Sequence, residues 1–163
     1  MMELRKFTLV SNNICYGPCP EPDEEVEQRL TLAANGRVWF SGYNFGHGFG
    51  DYEVGRKLQV NIGSEAAGRI LDLLGHYFDD RAIVMLATDV GSWELAMTDT
   101  AGEVHKQTGS LCEDLLLGDT ALSVTMRELI PIDNLFIFDG NYEEEPDEDN
   151  YECDPLQFVR RRN

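Results

Sequence analysis

The sequence predicts an α+β fold: a mainly antiparallel sheet built from two hairpins and flanking strands, packed by two helices. Three observations predict it. Leu30, Leu32 and Ala34 alternate with polar or small residues, Asn35-Gly36 follows, and the alternation resumes at Val38 and Phe40. Asn-Gly between alternating runs is a strong hairpin signal, with both central residues expected at positive φ. Trp93, Leu95 and Met97 form a second alternating run that turns at residues 99–102 and returns over 103–108. Between the hairpins, Ala67, Ile70, Leu71, Leu74, Tyr77 and Phe78 recur at i, i+3, i+4 and i+7, the stripe of an amphipathic helix. Hairpins imply antiparallel neighbours, which separates this pattern from a doubly wound parallel sheet.

The elements follow in order. Residues 4–10 read as a strand with Leu4, Phe7 and Leu9 as its apolar side chains. Residues 12–23 hold three prolines and a glycine and read as turns. The first hairpin occupies 24–42. Residues 42–55, GYNFGHGFGDYEVG, are too irregular for a helix, and 57–62 read as a strand through Leu58, Val60 and Ile62. Ser64 is the expected N-cap of the first helix, Glu65 suits its positive end, and Asp79-Asp80 ends it. Residues 82–88 read as a short apolar strand. Thr120 is the expected cap of a second helix bearing Leu122, Met126, Leu129 and Ile130, which Pro131 stops. Residues 135–138 read as a final, fully buried strand. LTLAANGRV and LAMTDTAGEV echo one another, a likeness that internal duplication and recurrent hairpin chemistry both explain.

The chain has 163 residues, 42% of them hydrophobic, enough to bury one core. We divide it into a single domain over 1–140 and an acidic tail over 141–163. The net charge is −17, and its placement is uneven. Residues 21–27 (EPDEEVE) hold five acids and no base, and residues 141–155 (NYEEEPDEDNYECDP) hold eight acids and no base. These tracts carry thirteen of the seventeen net charges, so the rest of the chain is only mildly acidic. Such runs repel themselves, stay extended and solvated, and often serve as interaction segments. Arg160, Arg161 and Arg162 close the chain as a short basic stop that could fold back on the acidic run.

Motifs for catalysis or metal binding do not stand out. Of the four cysteines, Cys15 and Cys19 form C-x-x-x-C in a Pro/Gly-rich turn, but Cys112 and Cys153 are far apart and supply no second ligand pair for zinc. Gly46, Gly48 and Gly50 do not follow the G-x-G-x-x-G spacing of a dinucleotide loop, and no Walker-type Gly-Lys-Ser/Thr occurs. His47, His76 and His105 fall in a loop, a helix and a hairpin with no ligand spacing between them. The acidic run PDEDNYECD lacks the glycine and terminal glutamate of a calcium loop. No metal or cofactor is therefore expected. No apolar run approaches the ~20 residues of a membrane span, and the N-terminus lacks a signal-peptide pattern, so a cytoplasmic location with reduced thiols is expected.

Direct nucleic-acid binding is disfavoured, because it needs clustered Lys and Arg and the one basic run is the arginine triplet. The charge points instead to a protein partner with a basic surface. The candidate contacts are Glu143, Glu144, Glu145, Asp147, Glu148, Asp149, Glu152 and Asp154 in the tail. Tyr43, Phe45, Phe49 and Tyr52 in the glycine-rich loop are candidate aromatic anchors. Carboxylates along an extended chain can imitate a phosphate backbone and compete for a cationic channel. In composition the chain resembles small acidic inhibitors made by phages and mobile elements against nucleic-acid-binding defence enzymes, anti-CRISPR proteins among them. The expected function is a non-catalytic interaction or inhibitor protein. Two alternatives remain open: an assembly subunit that self-associates through hairpin edges, and an enzyme with a site around His47, Asp51 and Glu53 in the 42–55 loop.

Overall fold

The computed structural model describes residues 2–14, 18–79, 87 and 90–140. They form a six-stranded, wholly antiparallel sheet with two helices, an α+β fold as the alternation and the helical stripe predict. The strands are β1 (Leu4–Asn12), β2 (Glu25–Ala33), β3 (Arg37–Asn44), β4 (Glu53–Asn61), β5 (Ser92–Asp99) and β6 (Val104–Ser110). Their spatial order is β4-β3-β2-β1-β5-β6. The first strand thus becomes a central one, flanked by β2 and β5. A two-stranded ribbon, β7 (Leu116–Leu117) and β8 (Thr120–Ala121), precedes the second helix.

Helices α1 (Gly63–Tyr77) and α2 (Leu122–Leu129) contribute to one core with the sheet. Phe7 and Leu9, Leu30 and Leu32, Val38 and Phe40, and Trp93, Leu95 and Met97 meet Ala67, Ile70, Leu71 and Leu74 of α1 and Leu122 and Met126 of α2 there. The strand period of two sends every second side chain to that face and the others to the opposite, open face.

Both hairpins turn by one device. The Gly36 N–H donates to the Ala33 carbonyl and the Gly102 N–H to the Asp99 carbonyl, each at 2.9 Å. Each glycine has positive φ, +97° and +94°. Asn35 does not: among the described residues Asn134 is the one non-glycine with positive φ. The Asn-Gly pair therefore forms a three-residue loop with glycine alone in the left-handed region, while Asn35 Oδ1 accepts from Arg37 N–H at 3.0 Å. Both turns also bond back to the start of the chain, Ala34 N–H to Arg5 O of β1 and Thr100 N–H to Glu3 O just before it, each at 2.9 Å.

Three further expectations are corrected. Neither Ser64 nor Thr120 caps its helix through its side chain. Asn61 Oδ1 receives Gly63 N–H at 2.8 Å before α1, and Asp114 Oδ1 receives Ser123 N–H at 2.8 Å in the first turn of α2. The capping acceptors are thus two residues upstream and nine residues away. Residues 135–138 are buried as expected but do not join the sheet; only an isolated bridge, Ile137 with Gly140, forms there. The proposed 82–88 strand lies outside the described residues except for Ala87, whose N–H and carbonyl both bond the Ser110 hydroxyl.

Candidate functional site

The acidic run at 141–155 lies outside the described residues, and so do all eight of its candidate contacts. The segment that leads into it is described in full. Residues 133–136 lie against buried polar side chains of the sheet. Gln28 Nε2 donates to Asn134 O at 2.7 Å, and Gln28 Oε1 receives Phe136 N–H at 2.8 Å. Ser11 Oγ donates to Phe136 O at 2.8 Å. These side chains satisfy backbone groups that a sheet neighbour would otherwise have paired.

Arg56 extends this clamp. Its Nε and Nη2 reach Glu25 Oε2 and Oε1 at 3.1 and 2.8 Å, its Nη1 donates to Asp133 O at 2.9 Å, and it stacks over Phe40 at 4.8 Å. Gly42 leaves the space that the Glu25 carboxylate fills. Glu25 and Glu27 of the first acidic tract are therefore built into β2, with Glu27 accepting from Asn12 Nδ2 at 3.2 Å. That tract is not a freely solvated segment throughout.

Arg127 of α2 holds the end of the described chain. Its Nη1 donates to Asp139 Oδ2 at 3.1 Å, and its Nη2 to Leu135 O at 3.0 Å and to Gly140 O. The Arg127–Asp139 pair is mostly buried, the side chains being 23% and 17% exposed. One guanidinium thus fixes the chain at the residue before the acidic run begins.

The four aromatic candidates separate. Phe45 is buried and receives Phe49 edge-on at 5.1 Å and Tyr52 at 6.2 Å. Phe49 is 69% exposed, and Tyr43 lies on the open sheet face opposite Glu27. The loop that carries them is two successive turns, closed by Gly48 N–H to Phe45 O and Asp51 N–H to Gly48 O. Gly46, Gly48 and Gly50 all take positive φ there. His47 Nε2 lies 3.2 Å from Glu53 Oε2, but the pair is 70% and 58% exposed. Such water access screens a pair and gives it little of the desolvation that catalytic acids and bases use.

A groove of about 1150 Å³ runs along α1, between Arg69, Asp72 and His76 on one side and Leu117 and Leu129 on the other. On the second hairpin, Asp99, Glu103 and His105 come together, with His105 Nε2 2.9 Å from Asp99 Oδ2. The His105 hydrogen bond, then the Glu103 amide, hold the Asp99 carboxyl below its ordinary value. Asp99 Oδ1 also accepts the Ala101 and Glu103 amides, so this cluster shapes the turn. Cys19 and Cys112 are exposed, and Cys15 and Cys153 lie outside the described residues.

The open face of the sheet was not legible as a site in the sequence. Register places Arg37, Lys6, Lys57, Arg29 and Lys106 on it, together with Trp39. Glu27 and Glu94 are the acids of the same ladder positions. Five bases against two acids make this face positive on a chain of net charge −17. Strand parity, which buries Phe7, Leu30, Val38 and Leu95, puts each base on the outward side of its own strand, but only the pairing of the strands brings the bases together.

Among the described residues no helix is long and apolar enough to cross a membrane. No protein-family model and no curated protein matches this chain.

Proposed function

We propose that this chain is a non-catalytic interaction protein whose C-terminal acidic tract engages a basic surface of a protein partner, acting as a nucleic-acid mimic against a nucleic-acid-binding enzyme. The observation that carries the reading is the Arg127 clamp on Leu135, Asp139 and Gly140. It gives the eight-acid run a fixed root on a folded body. A rooted, like-charged chain accelerates encounter with a cationic surface and loses that advantage as salt rises.

The assembly alternative gains less support. The outer edges of the sheet belong to β4 and β6, which carry Lys57 and Lys106, and β4 is bulged near its start. Charged, bulged edges oppose strand-to-strand association.

The test is affinity capture from source-cell lysate, comparing the wild-type chain with one in which Glu143, Glu144, Glu145 and Glu148 become Gln and Asp147 and Asp149 become Asn. The expected result is a cationic protein retained at low salt, released steeply as salt rises, and missing from the neutralised variant. Equal retention by both chains would sink the reading.

A further inference from the structure

The three lysines of the chain are Lys6, Lys57 and Lys106. They are far apart in sequence, and the sheet brings all of them to its open face. Lys6 pairs with Ala33 and Thr98, Lys57 with Ser41, and Lys106 with Ala96. Arg29, opposite Ser41 and Val10, stands between them. Among the described residues none of these four bases has a carboxylate within salt-bridge distance. Adjacent strands are ~4.8 Å apart, so Lys57 and Arg29, two strands apart along one row, are separated by about 10 Å at the backbone. That is comparable to the Debye length at physiological salt, so their like charges are only partly screened. Glu27, two residues from Arg29 on the same face, and Glu94, which lines one pocket with Arg29 and Lys106, offset part of this charge, and the positive excess that is left favours a bound anion.

We infer that the anion is the chain's own acidic run, residues 141–155, docked across the open sheet face. This rests on reading that run as the partner-binding segment, and it adds a competition that any partner must win. Charge complementarity is direct: the run carries eight acids and no base, six of them beyond Glu144, and the face carries five bases and two acids. Reach is sufficient. Gly140 is held on the helix-bearing side, and rounding the sheet costs about 10–15 Å, or roughly four residues. The remainder, at about 3.3 Å per residue, exceeds the ~24 Å breadth of six strands. Tethering raises the local concentration of the run to the millimolar range, so weak surface pairing is enough to populate the docked state. Only a partner more basic than this face then draws the run away.

The experiment is carbodiimide coupling of the full chain at low protein concentration, followed by peptide mass spectrometry of the monomer fraction. Every side-chain amine lies on the open face, so any lysine-to-tail link reports contact there. Links from Lys57, Lys106 or Lys6 to acids of 141–155 are expected. Their yield should fall about threefold or more in 0.5 M NaCl, where the Debye length is roughly 4 Å. It should fall similarly in an Arg29→Gln/Arg37→Gln variant that keeps every lysine.

Absence of such links overturns the inference. So does a yield indifferent to salt, which marks random collision, and so do links confined to cross-linked dimers, which assign the face to a second copy's tail. A labelled single-stranded oligonucleotide supplies a further arm. It should bind the tail-neutralised chain more tightly than the wild type, and that gain should vanish when Arg29→Gln/Arg37→Gln is added; equal binding, or a gain that survives the face variant, overturns the inference. The salt arm needs no variant, so a folding defect cannot blur it. If linking fails while tail neutralisation still abolishes partner capture, the functional reading stands and docking alone falls.

Discussion

Ser11 and Gln28 stand directly opposite each other on β1 and β2 and divide the backbone of Phe136 between them. Ser11 donates to its carbonyl, and the Gln28 amide oxygen accepts its N–H. Both residues are essentially buried, at 1% and 2% exposure. A buried backbone group that loses its partner carries the full desolvation penalty.

Gln28→Ala leaves both Asn134 O and Phe136 N–H without this partner, and a loss of about 2–4 kcal/mol is expected. Ser11→Ala should cost about 1–2 kcal/mol. Because both act on one segment, the double variant should lose less than the sum, an interaction that a denaturant-midpoint cycle measures.

Arg127→Gln should destabilise the chain by about 1–3 kcal/mol, since it unpairs a partly buried carboxylate and frees two carbonyls. Arg127→Lys should recover little, because one ammonium cannot span three acceptors in a fork. Amide exchange gives the local readout: the Gly140 N–H, bonded to Ile137 O at 2.9 Å, should lose protection in both variants.

The two turn glycines separate backbone strain from crowding. A Cβ at Gly102 would have Arg5 Nη2 at 3.9 Å as its nearest neighbour, so Gly102→Ala should cost only the left-handed penalty, about 1–2 kcal/mol. At Gly36 the same Cβ would lie 2.6 Å from the Gly63 backbone, in addition to that penalty. Gly36→Ala should therefore cost about 3 kcal/mol or more, and urea unfolding of the two variants checks the order.

The folded pKa of Asp99 lies below its ordinary 3.8, held there first by the His105 hydrogen bond and then by the Glu103 amide. A depressed carboxyl stabilises the fold above its unfolded pKa and loses that contribution as pH falls through the folded value. Asp99→Asn should thus be less stable than the wild type at neutral pH. The gap should close as pH drops below about 3.8, as paired thermal melts would record. A gap that widens in acid would show that the carboxylate charge is not the cause.

Much of the fold was legible because period alone specifies it. Leu30, Leu32, Val38 and Phe40 alternate, and all are buried. Ala67, Ile70, Leu71 and Leu74 recur at helical spacing, and all are buried too. Residues 135–138 misled for a physical reason: four successive apolar side chains signal burial, but burial does not specify a ladder. Their backbone is served by Gln28 and Ser11, more than a hundred positions away in sequence. The α2 acceptor was missed likewise, since Asp114 reaches Ser123 from nine residues away, whereas Asn61 stands only two residues before Gly63. Of the site, the acidic runs were plain, whereas the basic face exists only once five strand pairings set its register.

The central place of β1 also sets a timetable. During synthesis β2, β3 and β4 follow it as successive neighbours, so a four-stranded meander can assemble with α1 already available to cover it. The other edge of β1 waits for β5, which is complete only at Asp99. A meander that has formed without β5 would leave one edge of Leu4–Asn12 without its native neighbour. An exposed edge pairs with whatever strand arrives first. A chain that has made α1 but not β5 would therefore carry one edge open to association, and slow translation through residues 78–91 would prolong that exposure.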